Sequence, residues 1–295
     1  MTTQIIKRRY NQYSIEFEDM ICEQYLQGKS SVILQKEHKI SPDTVLRIVR
    51  SRGHAPRTFK DIMTKYTFDH SFFESIDTEA KAYFLGFMLA DGHVGEREVI
   101  IQLHSKDRHI IEEFVQCING NNVISEKINK SNFNNIKKQA MSSRLNLRSD
   151  KMISDLNALG FCRDKTYNTI VPKISEHLER HFWRGVMDGD GHISFYTTNN
   201  RMKMASGEVK TYHYKTLEVG ICGHINTMNA FVEFLKRNNI ETSGVRPDHS
   251  IFRVRVRTKD CNKFLDLIYK DSDPKLFLKR KYAKYQEYLE YKKGQ

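Results

Sequence analysis

Two stretches of thirteen residues decide how this chain is read. The first is Ala82-Tyr83-Phe84-Leu85-Gly86-Phe87-Met88-Leu89-Ala90-Asp91-Gly92-His93-Val94. The second is His181-Phe182-Trp183-Arg184-Gly185-Val186-Met187-Asp188-Gly189-Asp190-Gly191-His192-Ile193. Aligned, they set Asp91 on Asp190, Gly92 on Gly191 and His93 on His192, 99 residues apart. Asp-Gly alone is a common turn dipeptide and carries little weight. A repeat of the whole pattern carries much more, because the residues downstream of each copy repeat as well. Arg144-Leu145-Asn146-Leu147-Arg148 and Phe252-Arg253-Val254-Arg255-Val256-Arg257 both alternate with period two, and helical stretches come after them at Met152–Leu159 and Asn262–Tyr269. Each half therefore reads helix, strands, helix, strands, helix. One repeat of about 100 residues points to a pseudo-two-fold pair rather than a solenoid, which needs at least three short units.

The motif predicts how the halves meet. Gly86 and Ala90 lie four apart, as do Gly185 and Gly189, so each pair shares a helix face. Small residues at that spacing let two helix backbones approach closely. Packing along those faces would bring Asp91 and Asp190 together at two helix C-termini, with Gly92 and Gly191 turning the chain out of each helix. Two carboxylates at two negative dipole ends repel, and a divalent cation relieves that cost. Hard oxygen ligands suit Mg²⁺, or Mn²⁺, completed by phosphate and water.

In strands, successive side chains face opposite ways. Leu145 and Leu147 point one way, Arg144, Asn146 and Arg148 the other; Val254 and Val256 oppose Arg253, Arg255 and Arg257. A single-sign stripe without an acid on its own strand predicts a phosphate partner. The whole-chain balance agrees: 48 Lys and Arg against 36 Asp and Glu give +12, which favours a polyanionic partner.

Residues 1–60 hold eleven Lys/Arg and six Asp/Glu. Three helical patterns occur there. Glu16–Gln27 carries Phe17, Met20, Ile21 and Tyr25 on one face, with Gly28 as its cap. A second pattern runs from Ser30 or Ser31 to Glu37. The third opens on Ser41-Pro42 and stops at Gly53, with Val45, Leu46, Ile48 and Val49 inward and Arg47, Arg50 and Arg52 outward. The arrangement resembles a helix-turn-helix of the homeodomain or resolvase type, whose third helix enters the DNA major groove. On that resemblance Asp43, Thr44, Arg47, Arg50 and Arg52 are expected to contact DNA.

Other classes are excluded. No apolar run reaches the ~18 residues of a spanning helix, and Met1–Tyr10 has no hydrophobic signal core. A cytoplasmic, nucleoid-associated or nuclear protein is expected rather than a secreted one. Cys22, Cys117, Cys162, Cys222 and Cys261 are scattered without a C-x-x-C pair, which argues against a disulfide framework or zinc ribbon. His213, Cys222 and His224 lack zinc-ligand spacing.

Phe84–Gly92 and Trp183–Gly191 resemble the paired nine-residue signature of the LAGLIDADG homing endonucleases in the single-chain form. The resemblance covers roughly residues 79–290. It implies an α+β fold: two pseudo-symmetric αββαββα halves packed on their motif helices, here preceded by a small all-α helix-turn-helix domain. The expected boundaries are 1–58 for that domain, 59–78 for a linker, and 79–178 and 179–295 for the halves. It implies a monomeric, metal-dependent endonuclease that cuts both strands of a long asymmetric double-stranded DNA target, leaves short 3′ overhangs and serves intron mobility. Asp91 and Asp190 carry over as metal-binding catalytic acids. A basic residue near the end of a late strand assists in each half, which by position gives Arg148 and Arg257, although Lys is more usual there. Leu276-Phe277-Leu278-Lys279-Arg280-Lys281-Tyr282 resembles the closing segment of family members, and Gly160–Lys165 is its first-half counterpart. Lys281 and Lys165 are expected at phosphate, and Arg144, Asn146, Arg253 and Arg255 on DNA. Gln102 and His104, on the predicted strand Val99–His104, order water or touch DNA. His93 and His192 read as structural. The sixth motif position is Leu89 in one copy and Asp188 in the other, so the halves are not equivalent. The alternatives of the same fold are a DNA-binding regulator without catalysis and an RNA-splicing maturase.

Overall fold

The computed structural model describes residues 13–58, 66–133, 136–161 and 169–295. The chain divides into two compact units, 1–65 and 66–295.

The first unit holds α1 (Ile15–Leu26), α2 (Ser31–His38) and α3 (Pro42–Ser51). Each helix begins where a serine hydroxyl accepts an otherwise unpaired main-chain N–H: Ser14 from Phe17, Ser30 from Ile33, Ser41 from Thr44. Ile21, Leu34, Val45, Ile48 and Val49 form a fully buried core. The Arg57 guanidinium closes the unit. It stacks 4.2 Å from the centre of the Tyr25 ring and donates to the carbonyls of Gly28 and Lys29.

The second unit repeats one topology twice. The first half runs α4 (Glu79–Ala90), β1 (Gly92–Val94), β2 (Val99–His104), α5 (Arg108–Cys117), β3 (Ser125–Phe133), β4 (Ile136–Leu147) and α6 (Asp150–Ala158). The second half runs α7 (Glu176–Asp190), β5 (Gly191–Lys203), β6 (Val209–Gly223), α8 (Ile225–Arg237), β7 (Arg246–Asp248), β8 (Ile251–Arg255) and α9 (Cys261–Tyr269). A final helix, α10 (Lys279–Lys293), ends the fold. The sheets are antiparallel with matching orders, β1-β2-β4-β3 and β5-β6-β8-β7. This is the αββαββα pair that the repeat implied.

The halves differ in which hairpin is long. In the first, β1 and β2 have 3 and 6 residues while β3 and β4 have 9 and 12. In the second, β5 and β6 have 13 and 15 while β7 and β8 have 3 and 5. The stretch from Tyr66 is not a linker, contrary to the expectation for 59–78. Phe72 and Phe73 are buried against Phe114, and Asp69 N–H donates to the Ile118 carbonyl at 2.7 Å. Those aromatics complete the core of the first half.

Helices α4 and α7 pack on the faces carrying the small residues. A Cβ on Gly86 would overlap the Phe182 carbonyl, one on Gly185 the Tyr83 carbonyl, and one on Gly189 the Ala90 methyl. Backbone thus lies against backbone, and any side chain at Gly86 or Gly185 must push the helices apart. We expect Gly185→Val to lose about 3 kcal/mol of stability in urea unfolding. Wild-type stability in that variant would contradict the close approach.

Candidate metal and nucleic-acid site

The two motif helices end side by side. Asp91 caps α4, its N–H bonded to the Phe87 carbonyl at 2.9 Å, and Asp190 is the last residue of α7. Both side chains are exposed. A Cβ on Gly189 would sit 3.2 Å from Asp91 Oδ2, so the Asp91 carboxylate lies over the residue next to Asp190. The glycines after the acids serve a different purpose from the one expected. Gly191 has φ −93°, ordinary extended backbone, so no left-handed turn is needed there. Instead a Cβ on Gly92 would crowd Met88, and one on Gly191 would crowd Met187. Each glycine makes room for the methionine one turn back.

Beneath the acids lies a cation that was expected on DNA. Lys281 is buried, and its Nζ donates to the carbonyls of Met187 (2.7 Å), Asp188 (2.6 Å), Gly189 (3.2 Å) and Gly191 (2.6 Å). It satisfies the carbonyls that a helix end leaves unpaired and opposes the negative end of the dipole. The DNA-contact assignment of Lys281 is therefore corrected: the side chain has turned inward to cap α7. Burial pulls its pKa down to about 8, although Asp188, Asp91 and Asp190 favour the charged form.

Asp188, the sixth motif residue of the second copy, turns inward as well. It is fully buried and accepts from Tyr83 Oη at 2.9 Å and Leu278 N–H at 2.8 Å, and burial pushes its carboxyl up. Arg184, likewise fully buried, donates to Glu79 (2.8 Å), to the Leu276 and Ile268 carbonyls, and to His181 Nδ1 (2.7 Å). Glu79 belongs to the first half, so this network ties the halves to each other and to the closing segment. No local pattern announces it; the one signal in the sequence is Asp188 standing where the other copy has Leu89.

The outward strand faces carry the expected polar residues. Leu145, Leu147, Val254 and Val256 are buried, while Arg144, Asn146, Arg253 and Arg255 face away from the core. Acids do meet this stripe, from neighbouring strands and the β1–β2 turn. Asn146 donates to Glu98 at 2.6 Å, Arg255 lies 3.4 Å from Glu218, and Arg253 lies 3.6 Å from Asp248. Gln102 donates to Ser142 Oγ, and His104 Nδ1 accepts from Lys106 N–H. His192 Nε2 lies 3.1 Å from Glu218 Oε1, and its ring covers Gly220, where a Cβ would meet it at 2.9 Å.

Arg148 and Arg257 follow the strand positions that pair across the sheet toward the motif glycines. Gly92 lies opposite Ile101, which pairs with Leu145; Gly191 lies opposite Ile221, which pairs with Val254. Each arginine is three residues further along, toward the far end of the first hairpin strand, about 10 Å beyond the acid level. Arg148 lines a cleft of about 370 Å³ with His93, Arg97 and Glu98. On α3, Arg47 and Arg50 are exposed, while the Thr44 hydroxyl lies 2.8 Å from the capping Ser41. Arg52 is half-buried; it pairs with Asp19 (2.6 Å) and Glu18 (3.3 Å) and donates to the Ile15 carbonyl. Lys165 lies outside the described residues.

The network predicts an acid sensitivity. Burial, then the neighbouring Arg184 charge, pulls His181 down to about 4, against an unfolded value near 6.5. As pH falls from 6.5 the unfolded chain takes this proton first, so stability drops until about pH 4. We expect this group to remove up to roughly 3 kcal/mol across that window. The loss is read as the difference between wild type and His181→Gln in urea unfolding at pH 7 and pH 4.5. Parallel pH dependence in the two proteins would refute it.

No protein-family model and no curated protein matches the chain. Similar solved structures include the LAGLIDADG homing endonuclease I-LtrWI bound to target DNA (12% identity, 74% of this chain and 91% of that one, TM-score 0.47). Another is the homing endonuclease I-WcaI bound to its DNA recognition sequence (11% identity, 79% and 96%, TM-score 0.46). A third is the N-terminal LAGLIDADG domain of DUF199/WhiA (18% identity, 70% and 93%, TM-score 0.40). Two motif helices packed on their glycines, an aspartate at each C-terminal end and a matching four-stranded sheet in each half are the arrangement that the resemblance to the LAGLIDADG family led one to expect.

Proposed function

We propose that this chain is a site-specific DNA endonuclease that hydrolyses phosphodiesters in both strands with a divalent metal, leaving short 3′ overhangs. The observation that carries the reading is the pair of exposed carboxylates, Asp91 and Asp190, brought together at two helix ends where negative charge is costly. The donor set fits Mg²⁺ or Mn²⁺. It offers two hard carboxylates, with several carbonyls of the α7 end already engaged by Lys281. Among the described residues no group of three His, Cys, Asp or Glu could hold a metal by itself. Phosphate and water oxygens would complete the shell, as Mg²⁺ sites commonly require. When bound, such an ion supplies charge stabilisation at phosphate and a more acidic water.

The chain's own residues do the rest. Asp91 and Asp190 hold the ion between the halves. Lys281 keeps the α7 end rigid beneath them and offsets part of their mutual repulsion. Arg144, Asn146, Gln102, His104, Arg253 and Arg255 face the DNA, and the unlike hairpins of the two halves suit an asymmetric target. The first unit adds contacts as a helix-turn-helix, with Arg47, Arg50 and Thr44 on its third helix. No helix among the described residues is long and apolar enough to cross a membrane. The chain acts as a monomer in this reading, because both acids come from one polypeptide.

A second reading, a DNA-binding regulator of the same fold, is favoured by Lys281. Its ammonium, held on the carbonyls of the α7 end, offsets part of the repulsion between the two acids. Cleavage decides between them. With Mg²⁺ and a randomised duplex library, wild type should cut, and Asp190→Asn should cut at least about 100-fold more slowly while still binding. Equal cutting by both proteins would sink the assignment; binding without cutting by wild type would establish the regulator. Separately, Arg50→Ala should weaken binding across sequences and lower the salt-dependence slope by about 1. An unchanged slope would take α3 off the DNA.

A further inference from the structure

His104 and His224 occupy the same place in the two halves. Gly92 pairs with Ile101 and Gly191 with Ile221, and each histidine lies three residues beyond that partner, His104 as the last residue of β2 and His224 just past the end of β6. Their rings make the same bond. His104 Nδ1 accepts from Lys106 N–H at 3.1 Å, and His224 Nδ1 accepts from Asn226 N–H at 3.2 Å. A ring that accepts at Nδ1 carries its proton on Nε2. Each half therefore presents an imidazole edge fixed as a hydrogen-bond donor, unable to act as a metal ligand through Nε2 without giving up that proton.

Capping alone does not call for histidine. Elsewhere the chain makes such side-chain caps with hydroxyls: Ser14, Ser30, Ser41, Thr78 and Ser149. The two histidines at matched positions are the departure, although the residues around them differ between halves. His224 also lines a cavity of about 560 Å³ together with Asp190, Ala90, Cys222 and Thr227. Cys222 Sγ donates to the Asp190 carbonyl at 3.4 Å, which ties this strand end to the acid-bearing helix end. His104, on the equivalent strand end, is exposed.

We propose that His104 and His224 are a pseudo-symmetric pair of Nε2–H donors, each holding a non-bridging oxygen of the scissile phosphate in the strand served by its own half. The proposal rests on the endonuclease reading and deepens it. A donor preset by a main-chain bond needs no reorganisation when charge builds on the phosphate. The same ring anchors the turn into the next helical segment, so holding the turn and holding the phosphate are one device.

The amide side chains separate the two roles. Asn can take over the Nδ1 bond to the main chain but does not reach the Nε2 position; Gln places an amide donor near Nε2 and gives up the cap. On an end-labelled target duplex with Mg²⁺, His224→Asn should slow nicking of one strand roughly 100-fold. The other strand should keep its rate, and the melting temperature should stay at its wild-type value. His104→Asn should slow the opposite strand. His224→Gln should recover much of the nicking rate at a lower melting temperature. Wild-type nicking of both strands by the Asn variants, with Asp190→Asn inert, would overturn this proposal and leave the endonuclease reading standing. Equal slowing of both strands by a single variant would overturn it too. A wild-type chain that cuts nothing would overturn both.

Discussion

Everything in the larger unit depends on two helices being allowed to touch backbone to backbone. Gly86 against the Phe182 carbonyl and Gly185 against the Tyr83 carbonyl leave no room for a methyl group. That contact sets the separation of the halves, and with it the spacing of Asp91 and Asp190. Because α4 and α7 are buried on nearly every side, little else can adjust. The polar groups caught in the contact must then be satisfied internally. Asp188 accepts from Tyr83 and Leu278, Arg184 spans Glu79, His181 and two carbonyls, and Lys281 gathers four carbonyls. Close packing came first in the physical sense; the buried network is its consequence.

That network also explains why the halves cannot be exchanged. Asp188 has Leu89 as its counterpart, and its partners include Leu278 of the closing segment. The strands diverge in the same spirit, the long hairpin being the second in one half and the first in the other. A pseudo-two-fold frame thus carries unlike surfaces.

The positive charge divides into two populations. Lys281, Arg184, Arg52 and Arg57 are spent on carbonyls, carboxylates and a tyrosine ring inside the units. Arg47, Arg50, Arg144, Arg253 and Arg255 face outward, several beside acids such as Glu218 and Asp248. Those acids hold the arginines in place and lessen their mutual repulsion, so the outer face is an ordered mixed surface and not a bare cationic stripe. Net charge alone overstates how much cation is offered to a polyanion.

Periodicity and repetition were enough to read the doubled order of helix, strands, helix, strands, helix, but not the long β5–β6 hairpin or the closing helix α10. Alternation at Arg144–Arg148 and Arg253–Arg257 gave the strands, Ser-Pro at 41–42 gave the start of α3, and the doubled motif gave both the paired halves and the acids. These are local patterns, set by bond geometry and by which side chains prefer water, so sequence alone determined them. What lies between distant segments was decided only by the tertiary structure. Lys281 meets the α7 carbonyls across more than ninety residues, Glu79 meets Arg184 across more than a hundred, and Phe72 and Phe73 turn a stretch that looked like linker into core. A long cationic side chain is equally at home capping a buried helix end or facing solvent. The choice depends on which unpaired groups lie within its reach, and that is known only once the chain has folded.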